Sequence, residues 1–72
     1  MADDEWERTA SGLLKAELKR RGVTYAQLAD MIGDKEPNVR NKLSRGKFTA
    51  AFLLKSLYVV GVRRLDLGDL AE

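Results

Sequence analysis

Seventy-two residues leave room for one hydrophobic core, so a single domain spanning 1–72 is expected. The chain is 44% hydrophobic and 33% charged, the composition of a soluble globular protein, and it has neither cysteine nor histidine. That excludes disulfides, thiolate chemistry, the common zinc sites and an imidazole base, so no enzymatic activity, metal or cofactor is expected.

The formal net charge of +2 conceals an uneven distribution. Residues 1–14 carry Asp3, Asp4, Glu5 and Glu7 against Arg8, and residues 65–72 carry Asp66, Asp69 and Glu72. Between Lys15 and Arg64, twelve Lys and Arg stand against Glu17, Asp30, Asp34 and Glu36. A basic middle suits a polyanion such as nucleic acid, although solvated helix faces alone produce the same bias. Acids replace the positive charge of a secretory signal at the N-terminus, and no apolar run approaches the ~20 residues of a membrane span, so a cytoplasmic protein is expected.

In chain order, Trp6, Ala10, Leu13, Leu14 and Leu18 fall at helical spacing and predict an amphipathic helix ending before Gly22, with Trp6 in the core. Two starts fit. The helix either runs through Gly12, which weakens a helix interior by about 1 kcal/mol, or begins at a Ser11 cap with Trp6 on a separate turn. Thr24 and Gln27 fit a capping box and open a second helix with Leu28, Ala29 and Ile32 inward, ended by Gly33 at positive φ. Pro37 then suits the first turn of a third helix, Glu36 to Arg45. Val39 and Leu43 lie on its inner side, which turns Asn38, Asn41 and Arg45 outward, flanked by Arg40 and Lys42.

Phe48, Thr49 and Leu53 have the spacing of a hydrophobic staple, and AAFLLKSLYVV predicts a fourth helix to Gly61 with Ala50, Leu53, Leu54, Leu57 and Val60 inward. Phe52 and Val59 are then left on the outer side, more apolar surface than so small a domain leaves in water. The tail fits two readings: Leu65 and Leu67 alternate like a strand, while Leu67, Leu70 and Ala71 fit a short last helix.

Two helices joined by a glycine turn, the second presenting polar side chains, form the arrangement that sets a recognition helix in the DNA major groove. The stretch TYAQLADMIGDKEPNVRNKLSRGKF, with the motif at about 24–45, resembles the lambda-repressor-like (Cro/C1, XRE-type) helix-turn-helix regulators. Leu28-Ala29 stands at that family's Leu-Ala pair, Ile32-Gly33 at its apolar-Gly turn and Arg45-Gly46-Lys47 at its Arg-Gly-Lys ending. LLKAELKRRGVTYAQLAD and LSRGKFTAAFLL also resemble a family of small bacterial proteins of this class. Three features depart from the pattern: Asp34 stands where the turn usually has an apolar residue, Lys42 where the third helix usually buries one, and the stretch from Val39 to Gly46 is one residue longer than typical.

The resemblance implies an all-α, compact four- or five-helix domain that binds double-stranded DNA as a small transcriptional regulator, without a small-molecule effector. Asn38, Asn41 and Arg45 are the expected base contacts, since Asn pairs with adenine and Arg with guanine. Thr24, Gln27, Lys35, Arg40, Lys42 and Lys47 are the expected phosphate contacts. Phe52, Tyr58 and Val59 are the expected surface for a homodimer or another partner. Two other readings compete, an antitoxin-like interaction module and an RNA-binding protein. Trp6, Tyr25 and Tyr58 are too scattered for a base-stacking platform, and Asp30, Asp34 and Glu36 have helix-end or surface roles that need no metal.

Overall fold

The helix boundaries follow from local signals that the chain repeats at each turn. The computed structural model describes residues 2–67. It is an all-α domain, and among the described residues its four helices are α1 (Ala2–Arg21), α2 (Tyr25–Ile32), α3 (Glu36–Arg45) and α4 (Ala50–Val59). Among the described residues no helix is long and apolar enough to cross a membrane.

The first helix takes the longer of the two expected courses and runs unbroken through Ser11 and Gly12. Ser11 does not cap it. Its buried hydroxyl instead donates to the Leu43 carbonyl, in the last turn of α3 where helical carbonyls lack partners of their own. The second helix opens on the expected capping box: Thr24 Oγ1 accepts from the Gln27 N–H at 3.1 Å, and Gln27 Oε1 accepts from the Thr24 N–H at 2.8 Å. It closes at Gly33, φ 75°, where Asp34 N–H bonds back to the Ala29 carbonyl at 2.8 Å.

One core joins the four helices. Leu14 and Leu18 of α1, Leu28 and Ala29 of α2, Val39 and Leu43 of α3, and Leu57 of α4 are its buried apolar residues. In the packing, α1 and α2 each lie against both α3 and α4. On the other side of α2, Lys55 of α4 donates to the Ile32 carbonyl at 3.2 Å and closes that helix end.

The fourth helix is rotated from the expected orientation. Leu54 is 62% exposed and Ala50 is exposed, whereas Phe52 and Val59, expected outside, are half-buried and pack on the core. The inner arc centres on Ser56, which is fully buried. A run that is apolar on every side cannot choose its inner face by periodicity, and a small residue at the centre lets the helix approach closely. Phe48 and Leu53, the expected staple pair, line one groove, and the Phe48 ring also lies 5.2 Å from that of Phe52. Trp6, expected in the core, is 62% exposed. It sits near the start of α1 over the beginning of α4, in a groove with Phe48, Ala50 and Leu53, where the core has run out. The helix ends at Val59 rather than Gly61, and residues 62–66 form neither the expected strand nor a helix. Leu70 and Ala71, invoked for a last helix, lie outside the described residues.

Candidate nucleic-acid interface

Three devices fix the outward side of α3. Val39 and Leu43, four apart and both fully buried, anchor one side of a helix whose other residues, Pro37 in its first turn apart, are polar. The turn before it is organised by Asp34, whose carboxylate accepts from the Lys35 N–H at 2.7 Å, Asn38 Nδ2 at 3.0 Å and Lys42 Nζ at 3.2 Å. The end after it is fixed by Gly46, φ 70°, whose N–H bonds to the Lys42 carbonyl at 2.9 Å. Gly46 is buried against α1, and a Cβ there would lie 2.8 Å from the Glu7 carbonyl carbon.

The departures at Asp34 and Lys42 are therefore one interaction. Asp34 and Lys42 pair, and the Lys42 ammonium also lies 4.6 Å from the centre of the Phe52 ring on α4. The Asn38 amide, then the Lys35 N–H and then Lys42 stabilise the charged carboxylate and lower the Asp34 pKa from 3.8 to about 2. Arg40 is held by Glu36 one turn earlier, Nε to Oε2 at 2.9 Å with a second bond alongside, and the bonded carboxylate raises the guanidinium pKa.

These bonds divide the expected contact residues. Asn38, Arg40 and Lys42 are tied to carboxylates, and Thr24 and Gln27 to each other. Asn41 and Arg45 are exposed, and with Lys42 and Lys47 they line a shallow groove of about 250 Å³. Thr24, Gln27, Lys35 and Arg40 do not line it.

Arg45 also borders a second cleft, of about 260 Å³, between α1 and α3, where it meets Arg8 and Lys15. Among the described residues no acidic side chain lines either space. Among the described residues Arg8, Lys15, Arg45 and Lys47 have no ion-pair partner. The result is a basic strip from α1 across the C-terminal half of α3. Sequence reasoning missed Arg8 and Lys15 as part of it: each looks like an ordinary solvated residue of α1, and only the packing of α1 on α3 brings them beside Arg45.

Comparison with curated proteins and with solved structures returns no match. The model of the family described as Domain of unknown function (DUF6471) matches residues 6–65, most of the chain, and the chain belongs to that family.

Proposed function

We propose that the chain is a double-stranded DNA-binding module that lays α3 in the major groove and acts as a small transcriptional regulator. One observation carries this reading: Asn41 and Arg45 stand opposite the buried Val39 and Leu43, and Arg45 adjoins Arg8, Lys15 and Lys47, cations with no ion-pair partner among the described residues. The major groove, ~12 Å wide, admits one helix, and an amide and a guanidinium are the groups that pair bidentately with adenine and guanine. Lys47, Arg8 and Lys15 are suited to phosphates, which position the module without reading sequence. The resemblance to lambda-repressor-like regulators supports the same assignment. In the proposed regulator two copies act together on a near-palindromic site, with half-sites about one DNA turn, ~34 Å, apart.

Selection of bound duplexes from a random pool, followed by titration of variants on the enriched site, tests the proposal. Asn41→Ala and Arg45→Ala are expected to cost about 1–3 kcal/mol each and to relax preference at one position. Lys47→Ala is expected to weaken all duplexes alike and to lower the salt slope by about one counterion. If the Asn41 and Arg45 variants fold and bind duplex DNA unchanged, α3 does not read DNA. The interaction-module reading, which the exposed Leu54 and Tyr58 favour, then takes its place.

A further inference from the structure

One row of exposed apolar side chains runs along α4 beside Lys55, with Glu5 and Glu7 near its N-terminal end and Arg63 and Arg64, followed by Asp66, at its C-terminal end. Ala50 and Leu54, one turn apart, lie on one row of the helix, with Tyr58 a turn further on. Leu54 and Tyr58 are 62% and 63% exposed. At the N-terminal end of this row, Ala50 shares a groove with Trp6 and Glu7, and the exposed Glu5 precedes them on α1. At the C-terminal end, Leu54, Leu57, Tyr58, Val62 and Leu65 line a second groove of about 330 Å³, rimmed by Arg63 and Arg64. Arg63 is held there by a bond to the Tyr58 carbonyl at 3.0 Å and by stacking, 4.4 Å from the centre of the Tyr58 ring. The end with Glu5 and Glu7 carries an exposed indole, and the end with Arg63 and Arg64 an apolar groove of the size that admits such a ring.

We infer that this face binds a second copy of the same chain, with the two α4 helices antiparallel across a twofold axis that passes close to Leu54. A twofold contact is self-complementary: whatever one end of the surface offers, the other end of the partner receives. Leu54 is near the middle of the ten-residue helix, so the axis sets it against its own copy. Each Trp6 then enters the groove beside Tyr58 and Leu65 of the other copy, and Glu5 and Glu7 face Arg63 and Arg64. A parallel arrangement juxtaposes like charges at both ends, which costs binding.

The size of the contact sets its strength. Trp6, Leu54, Tyr58 and Leu65 expose on the order of 500 Å² of side chain per copy, taking 150–250 Å² for a whole aromatic and less for leucine. A standard interface buries about 800 Å² per partner, so the charged ends are needed to complete this one and the association is weak and reversible. The inference specifies the surface of the dimer proposed above but does not depend on nucleic acid, and its test is made on the free protein.

Sedimentation and Trp6 fluorescence are recorded together from low micromolar to sub-millimolar concentration, Trp6 being the only tryptophan. The expected result is conversion of the 8.1 kDa species to one of twice the mass, with the emission moving to shorter wavelength in parallel. Leu54→Lys and Trp6→Ala, both at exposed positions that leave the fold intact, are each expected to weaken association about tenfold or more. Glu5→Lys or Arg64→Glu alone is expected to weaken it roughly two- to fivefold, and the two together to restore it, because only the antiparallel arrangement opposes these residues. A monomer at every concentration overturns the inference, as does a dimer whose Trp6 emission is unmoved or which tolerates Leu54→Lys. Failure of the double reversal to restore association overturns the antiparallel arrangement. None of these outcomes alters what the DNA titrations report on Asn41 and Arg45.

Discussion

Gly46 joins the groove of Asn41 and Lys47 to the α1 contact, and its replacement by alanine separates two costs that a single glycine usually mixes. Gly33 and Gly46 have nearly the same backbone conformation, φ 75° and 70°. In the left-handed region an L-residue costs roughly 1–2 kcal/mol. Restricting the unfolded chain returns about 0.4–1 kcal/mol of that. A Cβ on Gly33 has no heavy atom within 4 Å, so Gly33→Ala is expected to lose about 1 kcal/mol and no more. A Cβ on Gly46 meets the backbone of Glu7, its carbonyl carbon at 2.8 Å and its Cβ at 3.1 Å. The obstacle is helical main chain rather than the tip of a flexible side chain, so relief requires α1 to move from α3. Forcing atoms into a packed site adds about 1–3 kcal/mol, which brings Gly46→Ala to roughly 2–4 kcal/mol. For a domain of this size each kcal/mol lowers the melting temperature by about 4–8 °C. Thermal and urea unfolding followed by circular dichroism measure both variants. A loss for Gly46→Ala no larger than that for Gly33→Ala refutes the argument, since it removes the close approach of α1 as the cause.

Two other expectations rest on single groups. Ser56 Oγ is fully buried and has no hydrogen-bond partner among the described residues, so Ser56→Ala is expected to raise stability by about 1 kcal/mol, and a loss in the same unfolding assay refutes it. Asp34 has a folded pKa of about 2, below its ordinary 3.8, so its ionised form is favoured by folding. The stability it contributes is present above pH 4–5, declines as pH falls through 3.8 toward 2, and is gone below 2. Asp34→Asn is therefore expected to flatten the acid limb of the melting-temperature profile across that window, and an unchanged limb refutes the assignment.

What could be read in the sequence was what few residues decide locally. Thr24 and Gln27 mark the start of α2 because both halves of their reciprocal bonding lie within four residues, and Gly33 and Gly46 mark helix ends because positive φ excludes most alternatives. Val39 and Leu43 fix the orientation of α3 for the opposite reason to α4: a helix with two apolar residues has one possible inner side, and the outward position of Asn41 and Arg45 follows. AAFLLKSLYVV offers no such contrast, so which of Leu54, Phe52 or Val59 is buried depends on the helices it meets. Trp6 failed as a core residue because hydrophobicity says that a side chain profits from burial, not that a surface exists to bury it. Arg8 and Lys15 were invisible as neighbours of Arg45 because their adjacency is a property of the α1–α3 crossing alone.

The Asp34–Lys42 pair explains where on α3 the free positive charge lies. A helix N-terminus carries the positive end of the macrodipole and is ordinarily the place where an anion is held. Here Asp34 and Glu36 occupy that end, and they also bind Asn38, Lys42 and Arg40, so of the cations near it only Lys35 is without an ion pair among the described residues. At the other end the macrodipole is negative, and it favours the cations Lys42 and Arg45 that occupy the last turn. Arg45 and Lys47 have no carboxylate partner among the described residues, and the cleft toward Arg8 and Lys15 continues the same sign onto α1. On the proposed reading, the attraction for a phosphate backbone is therefore strongest at the C-terminal half of α3 and along α1. Asp34, which organises the turn before α3, also engages Asn38 and Lys42, which on the same reading are less free for that contact than Arg45.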